Sequence, residues 1–468
     1  MTELTVERET SIRRRNDAAP REVLLIVCAG VVLASLDLFI VNIALPQIAK
    51  DLHANDLGEL SWVLNAYAIV YAALLLYFGR LADRYRRDRG FLLGVAIFTA
   101  ASAACAAATS VGMLIAFRVV QAAGAALLTP TSLGLVLASY APERRQGAVR
   151  AWTATGGMAA AIGPVVGGLL VAADWRLVFL VNVPIGIAAL VVGWRRLPHV
   201  PGHPVEHPDP LGVVLSTAGI GLLTLALVKG SDWGWSSGAA LTTLGAAAVA
   251  LAGFVAHCVR SDAPLVHPSL FGSRQFRGAA LVAVFFSAAF GAMLLSAVLW
   301  SQTVWHWSAL RAGLALAPGP LMVPIVAFGI TGRLIARFGA AVVMAAGSIA
   351  FAAGEVWWAL AVTVTPNYAS GVLGGTLLTG VGVGLTLTTM MATGAAGLPA
   401  QSFATGSAVI NTVRQTGLAL GVAVLVAVIG SPASPTAALH AFRHGWWVTA
   451  AISAAAVLPT LTLRRSAR

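Results

Sequence analysis

Charge is scarce in this chain. Only 10% of its 468 residues are Asp, Glu, Lys or Arg, where a soluble domain carries roughly 25%. That shortage, beside 58% hydrophobic residues, excludes an ordinary water-soluble globule and makes lipid the main solvent. Cysteine is scarcer still. Cys28, Cys105 and Cys258 all lie in apolar stretches, which argues against a disulfide framework or a metal site. No Ser/His/Asp, metal-ligand or phosphate-loop constellation supports an enzyme, and no cofactor is expected. The first twenty residues mix acids with arginines and lack a small-residue cleavage site. They read as a cytosolic tail before an uncleaved first helix, not as a signal peptide. The formal charge of +12 does not point to nucleic acid, because the arginines are scattered in short loops between apolar runs.

Those runs are the dominant feature. About 20 apolar residues span a bilayer as a helix, and fourteen such runs occur, near 23–45, 60–78, 91–108, 112–138, 148–172, 177–194, 211–228, 239–258, 279–302, 310–331, 340–362, 370–396, 404–430 and 446–463. With the N-terminus inside, the cytosolic segments carry 23 of the 30 Lys and Arg. The bias places both ends in the cytoplasm, which an even number of spans satisfies.

The densest basic loop is Gly79-Arg80-Leu81-Ala82-Asp83-Arg84-Tyr85-Arg86-Arg87-Asp88-Arg89, and a weaker copy returns as Gly332-Arg333-Leu334-Ile335-Ala336-Arg337-Phe338-Gly339. Both read Gly-Arg-Leu-x-x-Arg-aromatic between apolar helices, as in an internal repeat of a helical membrane unit. The first copy joins runs 2 and 3 and the second joins runs 10 and 11, an offset of eight. A plain six-plus-six repeat would give six, so two extra helices are expected between the halves. The expected organisation is a cytosolic tail 1–21, a six-helix bundle 22–196, linkers with two extra helices 197–277, a second six-helix bundle 278–463 and a tail 464–468. His199, His203 and His207 sit four apart in the first linker, but the interleaved prolines forbid a ligating helix. A solvated linker is the better reading.

The motifs carry a resemblance. The first hairpin is similar to the loop motif G-x-L-A-D-R-x-G-R-K of the major facilitator superfamily. Gly79, Leu81, Ala82, Asp83, Arg84 and Arg87 match, while Arg86 stands for the second glycine and Asp88 for a base. Leu36-Asp37 through Asn42 to Pro46 resembles L-D-x-T-V-V-N-V-A-L-P, with Phe39 for Thr. Arg118-Val119-Val120-Gln121 through Ala126 is similar to R-x-x-Q-G-x-G-A-A. Gly163-Pro164-Val165-Val166-Gly167-Gly168 resembles the antiporter motif G-x-x-x-G-P-x-x-G-G, with Ala159 at the first glycine. Asp174-Trp175-Arg176 running to Asn182, then Asp209, Gly212 and Leu215, then Asn411, Arg414 and Gln415, resemble further stretches of its fourteen-helix drug:proton antiporter family. The resemblance covers nearly the whole chain.

It implies an all-α integral membrane protein with the major facilitator fold, fourteen transmembrane helices arranged 6+2+6. Asp83 can pair with arginines and meet a helix end as a gate, although positive-inside topology alone would also explain the loop. Asp37, a costly lone carboxylate inside a span, and Arg118 are the proton-coupling candidates. A structural hydrogen bond for the one, and snorkelling to an interface for the other, are the alternatives. Pro164 bends its helix, and Gly163, Gly167 and Gly168 admit a neighbour closely. Glu355 is the other acid inside a span. Trp357 and Trp358 follow it, so an interfacial carboxylate is at least as good a reading as a second proton site. Candidate cavity residues are Asn42, Trp62, Asn65, Gln121, Phe285, Phe286, Met293, Gln302, Asn411 and Arg414, although aromatic positions are more often packing. The implied function is proton-coupled export of amphipathic drugs or antibiotics. The implied setting is the bacterial plasma membrane, with small-molecule substrates, protons and lipid as partners, no nucleic acid, and a monomer. A narrow exporter of one natural product and a non-transporting membrane sensor are the rivals.

Overall fold

The computed structural model describes residues 19–52, 57–202, 209–396, 398, 402–430, 432 and 434–463. The tail 464–468, nearly all of the tail 1–21, and His203 and His207 lie outside them. Helices dominate, and no strand occurs among the described residues. In chain order they are α1 (Pro20–Asp51), α2 (Leu57–Arg84), α3 (Arg87–Ala106), α4 (Val111–Ser139), α5 (Pro142–Ala173), α6 (Leu177–Arg196), α7 (Pro210–Trp233), α8 (Gly238–Arg260), α9 (Arg274–Val304), α10 (Leu310–Phe338), α11 (Ala340–Ala361), α12 (Tyr368–Ala396), α13 (Phe403–Ile429) and α14 (Pro435–Leu463). Among the described residues, twelve helices are long and apolar enough to cross a membrane, namely α2 to α4 and α6 to α14. The other two, α1 and α5, have 32 residues each, about 48 Å at 1.5 Å per residue.

Local chemistry sets the boundaries. Proline occupies the first turn of α1, α5, α7 and α14, where its missing N–H is no loss. Ser110, Ser237, Ser273 and Ser434 cap α4, α8, α9 and α14 by accepting a backbone N–H, which satisfies donors that lipid could not. The two hairpins turn differently. Arg86, at φ −63° and ψ 118°, makes the first corner with backbone any residue adopts, so the missing glycine costs nothing there. The second corner uses Gly339 at φ 82°, which favours glycine.

Packing repeats along the chain. In the first half α3 lies on α4, α2 on α4, α1 on α5, and α3 on α6. Eight helices later α11 lies on α12, α10 on α12, α9 on α13, and α11 on α14. Small residues permit the closest pairs: a Cβ on Gly94 would stand 2.8 Å from the Leu128 nitrogen, and one on Gly354 would stand 2.7 Å from the Gly375 carbonyl oxygen. In a membrane, where apolar burial alone does not favour helix over lipid, such close approach supplies much of the association. The two groups of helices meet where α2 and α4 touch α13, and where α5 touches α10 and α12. Between the groups in sequence, α7 rests on α2 and α13, and α8 packs on α7.

One contact tests this packing. A Cβ on Gly421 of α13 would lie 1.8 Å from the Ala288 carbonyl oxygen of α9, whereas nothing lies within 4 Å of one on Gly245 of α8. Gly421→Ala should therefore destabilise the protein by about 1–3 kcal/mol, and Gly245→Ala should not. Thermal unfolding of the two variants in detergent checks this.

Candidate functional site

Asp37 is not the lone carboxylate its sequence setting suggested. It is fully buried, and its Oδ2 accepts from Arg118 Nη1. Its Oδ1 accepts from Gln121 Nε2 at 2.9 Å and Asn182 Nδ2 at 3.2 Å. Arg118 is buried as well, which removes the snorkelling alternative. Its Nε donates to the Val63 carbonyl at 3.1 Å, its Nη1 also donates to Gln121 Oε1 at 2.7 Å, and its guanidinium lies 4.2 Å from the Tyr67 ring centroid. Gln121 Nε2 gives its second proton to Ser102 Oγ at 2.7 Å. Thus α1, α2, α3, α4 and α6 converge on one ion pair. Buried charges persist only when paired and hydrogen-bonded, and removing one partner of such a pair costs about 3–5 kcal/mol. The three-residue spacing of Arg118 and Gln121 places both on one helix face, which is why they reach the same carboxylate.

The hairpin forms a second buried site. Asp83 accepts from the backbone N–H groups of Ala404 at 2.9 Å and Thr405 at 2.7 Å, and from Arg87 Nη2 at 2.9 Å. Those amides are among the unsatisfied donors at the start of α13. Asp83 therefore acts as an N-cap supplied by the other half of the chain, where its charge also suits the helix dipole. Gly79 permits the approach, since a Cβ there would fall 2.4 Å from that of Ala408. Phe403 lies between two cations, Arg87 at 5.7 Å and Arg145 at 4.9 Å from its ring centroid. Arg84 carries its guanidinium 5.8 Å from the Tyr85 ring centroid. The motif's two departures compensate one another. Arg86 pairs with Asp88 (Nε to Oδ1 3.2 Å), and that hydrogen bond raises the Arg86 pKa, while Asp88 sits in the first turn of α3, where an acid is favoured.

The remaining candidates scatter. Along α5, a Cβ on Gly167 would stand 2.8 Å from Ile40 of α1, and one on Gly168 would stand 2.9 Å from Leu310 of α10. Adjacent glycines thus face the two halves. Gly163 is buried; the side chains of Pro164 and Asn42 lie outside the described residues. Asn65 is part-buried on α2. Trp62 meets α7, with Lys229 Nζ 5.5 Å from its ring centroid. Phe285 and Gln302 are exposed. Phe286 packs on Phe351 of α11, 5.2 Å between centroids, and Met293 is buried in the core. Asn411 is buried, with its Oδ1 accepting from Arg414 Nη1 at 2.9 Å. Glu355 is fully buried, and neither carboxyl oxygen has a hydrogen-bond partner among the described residues. Of the three residues in the interfacial reading, Trp357 is exposed, while Glu355 and Trp358 turn inward. Sequence reasoning gave no role to Ser102, Asn182, Phe403 or Arg145. Asn182 alone carried a signal, as part of the stretch from Asp174 that resembles the antiporter family.

Two repeated groups of membrane-length helices, a cap that crosses between them, and an ion pair sealed inside one of them define a multi-pass membrane protein of the transporter class. The Major Facilitator Superfamily model matches residues 27–422. The chain is 35% identical over 431 residues to a cephamycin export protein of Amycolatopsis lactamdurans, covering 90% of this chain and 87% of that one. It is 33% identical over 420 residues to the multidrug resistance protein Stp of Mycobacterium tuberculosis, covering 88% and 76%. In fold it is similar to the human organic anion transporter TETRAN, with TM-score 0.68 and 14% identity over 95% of this chain and 99% of that one. The chain belongs to the Major Facilitator Superfamily and is a transporter, not an enzyme.

The cap across the halves is testable. Asp83→Asn leaves one carbonyl oxygen for two amides and removes the counter-charge of Arg87. The loss of a cap is worth about 1 kcal/mol, so the contact should open several-fold more often. In a background lacking Cys28, Cys105 and Cys258, maleimide labelling of Thr405→Cys, a position only 2% exposed, should accelerate by that factor. An unchanged rate would mean that Asp83 does not hold the halves together.

Proposed function

We propose that this transporter is a proton-driven exporter that moves amphipathic, largely apolar molecules, drugs or antibiotics, out of the cytoplasm by alternating access. The observation that carries the reading is the buried Asp37–Arg118 pair, held in a chain whose relatives are named for cephamycin export and multidrug resistance. Proton coupling needs a carboxylate whose partners can change. Asp37 joins α1 to a donor set on α4 and α6. A shift of α1 against α4 that lengthens the Arg118 contact leaves the carboxylate to take a proton instead, and restoring the pair expels it. Glu355, the other acid inside the spans, sits where the neutral form is the one its surroundings accept; it serves as a second proton site in this reading. The energy source is the proton gradient, with no further cofactor.

Alternating access follows from two halves rocking about their boundary. The offset of eight between matching helix pairs supports a fourteen-helix, six-two-six arrangement, with α7 and α8 as the added pair. The charge bias supports both termini, and the Asp83 end of the molecule, in the cytoplasm of a bacterial cell. With that orientation, the contact of Asp83 with α13 closes the cytoplasmic side. The protein works as a monomer in this reading. A narrower function, export of a single natural product as self-protection, is favoured by the similarity to the cephamycin export protein. A sensor without transport has no need of a proton-exchangeable carboxylate.

Two measurements test this. Asp37→Asn keeps size and removes titration, and it leaves one accepting oxygen for the donors of Arg118, Gln121 and Asn182. Efflux driven by a pH gradient in proteoliposomes should collapse in this variant while substrate binding persists in the folded fraction, with a lowered unfolding temperature because Arg118 loses its counter-charge; near-normal efflux would remove Asp37 from the mechanism. In intact cells, a membrane-impermeant thiol reagent should label Asp232→Cys and miss Arg86→Cys, and labelling at position 86 would overturn the orientation.

A further inference from the structure

Two arginines, Arg118 and Arg414, fall inside the apolar runs, in very different company. Arg118 donates to a carboxylate, an amide oxygen and a backbone carbonyl, and covers an aromatic ring. Arg414 of α13 makes one hydrogen bond among the described residues, to the neutral Asn411, and its enclosed Nε has no acceptor. Five guanidinium donors thus meet a single partner. Glu355, the buried acid of the spans without a hydrogen-bond partner among the described residues, lies on α11, which packs mainly on α12 and α14.

The place of Arg414 matters as much as its solitude. It lies 11 residues beyond Phe403, about 16 Å along α13 from the capped end, which is close to mid-membrane in a hydrocarbon core about 30 Å thick. Its neighbour across the boundary is Tyr71 of α2, within electrostatic range. The Tyr71 hydroxyl is 3.1 Å from Thr129 Oγ1 of α4. Thr129 spends its own proton on the Ala125 carbonyl, so Tyr71 is the donor. The guanidinium therefore sits at mid-depth where helices of both halves meet, part-buried, with the Asn411 amide bonded to it and the Tyr71 hydroxyl within electrostatic range. A charge in such a place needs a counter-ion or water, and these groups supply no negative charge.

We infer that Arg414 is the anchor for an acidic group on the transported molecule, so that the substrate class is amphipathic anions, carboxylates or phenolates. The inference rests on the exporter reading for its setting, but it concerns binding. An anionic group meeting Arg414 gains a charge-assisted, bidentate contact, while a cationic drug is repelled at the same spot.

The test uses three probes on purified protein: 1-naphthaleneacetic acid, its uncharged amide, and ethidium as a cation. Wild type should bind the acid at least tenfold more tightly than the amide. Arg414→Gln should abolish that preference and leave amide binding within twofold; Arg414→Lys, which keeps the charge but not the fork, should retain part of it. Failure of wild type to bind the acid, equal binding of acid and amide, tighter binding of ethidium, or an unchanged preference in Arg414→Gln would each overturn the inference. If Arg414→Gln does not fold, judged by size-exclusion profile and thermal unfolding, the decision falls to the acid–amide ratio of Arg414→Lys, and an unchanged ratio counts against the inference. Efflux of the acid under a pH gradient is read separately. If the acid preference is present but no gradient drives efflux, the proton-driven reading fails and the anion site stands.

Discussion

The structure depends most on a backbone need met from a distance. A helix that starts inside a protein leaves amide groups without partners, and lipid offers none. At the start of α13 two of those groups are satisfied by Asp83, which belongs to the other half of the molecule. The bond is therefore local chemistry for α13 and long-range cohesion for the whole chain. Gly79, Arg87, Phe403 and Arg145 are arranged around it: one gives room, one neutralises the charge, and the aromatic ring with its two cations shields it. The second copy of the hairpin has Ala336 at the position matching Asp83, and the helix turn that carries it, Gly332–Phe338, buries no residue. The repeat thus gives the molecule two similar corners and only one of them with the acid. An equilibrium between open and closed forms can be set at that one corner by a contact of modest strength.

Inside the first half the same rule acts on side chains. Asp37 and Arg118 neutralise each other, and their remaining hydrogen-bonding capacity is filled by Gln121, Asn182 and Val63. Five helices contribute to the arrangement, so a change at any one of them alters the balance of the pair. The second half has no counterpart among the described residues. Its interior polar groups are mainly threonines and serines; some return their protons to their own helices, as at Thr376 and Thr388, and Thr386 and Ser453 donate across to carbonyls of α11. Polarity that satisfies itself within one helix leaves that helix free to move against its neighbours.

Much of this was legible before the fold was known. The apolar runs locate the helices, because span length is fixed by the bilayer. Helix ends were less legible: α1 and α5 run past their apolar stretches, and α14 begins at Pro435 rather than near Trp446 because His440, Arg443 and His444 interrupt the apolar run. Of the site, Asp37 and Arg118 stood out because charge inside a span is costly and has few reasons to be there, and Gln121 and Asp83 because they fall in motifs that carry the family resemblance. Their partners did not. Ser102 and Phe403 are ordinary residues made special only by position in three dimensions. The aromatic candidates failed differently. Phe285, Phe286 and Trp62 are apolar, and nothing in an apolar residue's identity says whether it meets lipid, a neighbouring helix or a cavity. The pairing of Arg86 with Asp88 was hidden because each residue, read alone, looked like a departure from its motif.

The position of α7 has one more consequence. It lies across the line where α2 meets α13, and Lys229, bonded to Asp232, reaches over Trp62 to fasten it there. Acyl chains cannot enter the molecule along that line, because protein already fills it. The line formed by α5 with α10 and α12 has no such cover among the described residues. The molecule therefore has a back and a front toward the bilayer. The motion proposed for the halves would run along lipid on one side and along a packed helix on the other, and a molecule dissolved in the leaflet would meet an exposed seam from one direction only.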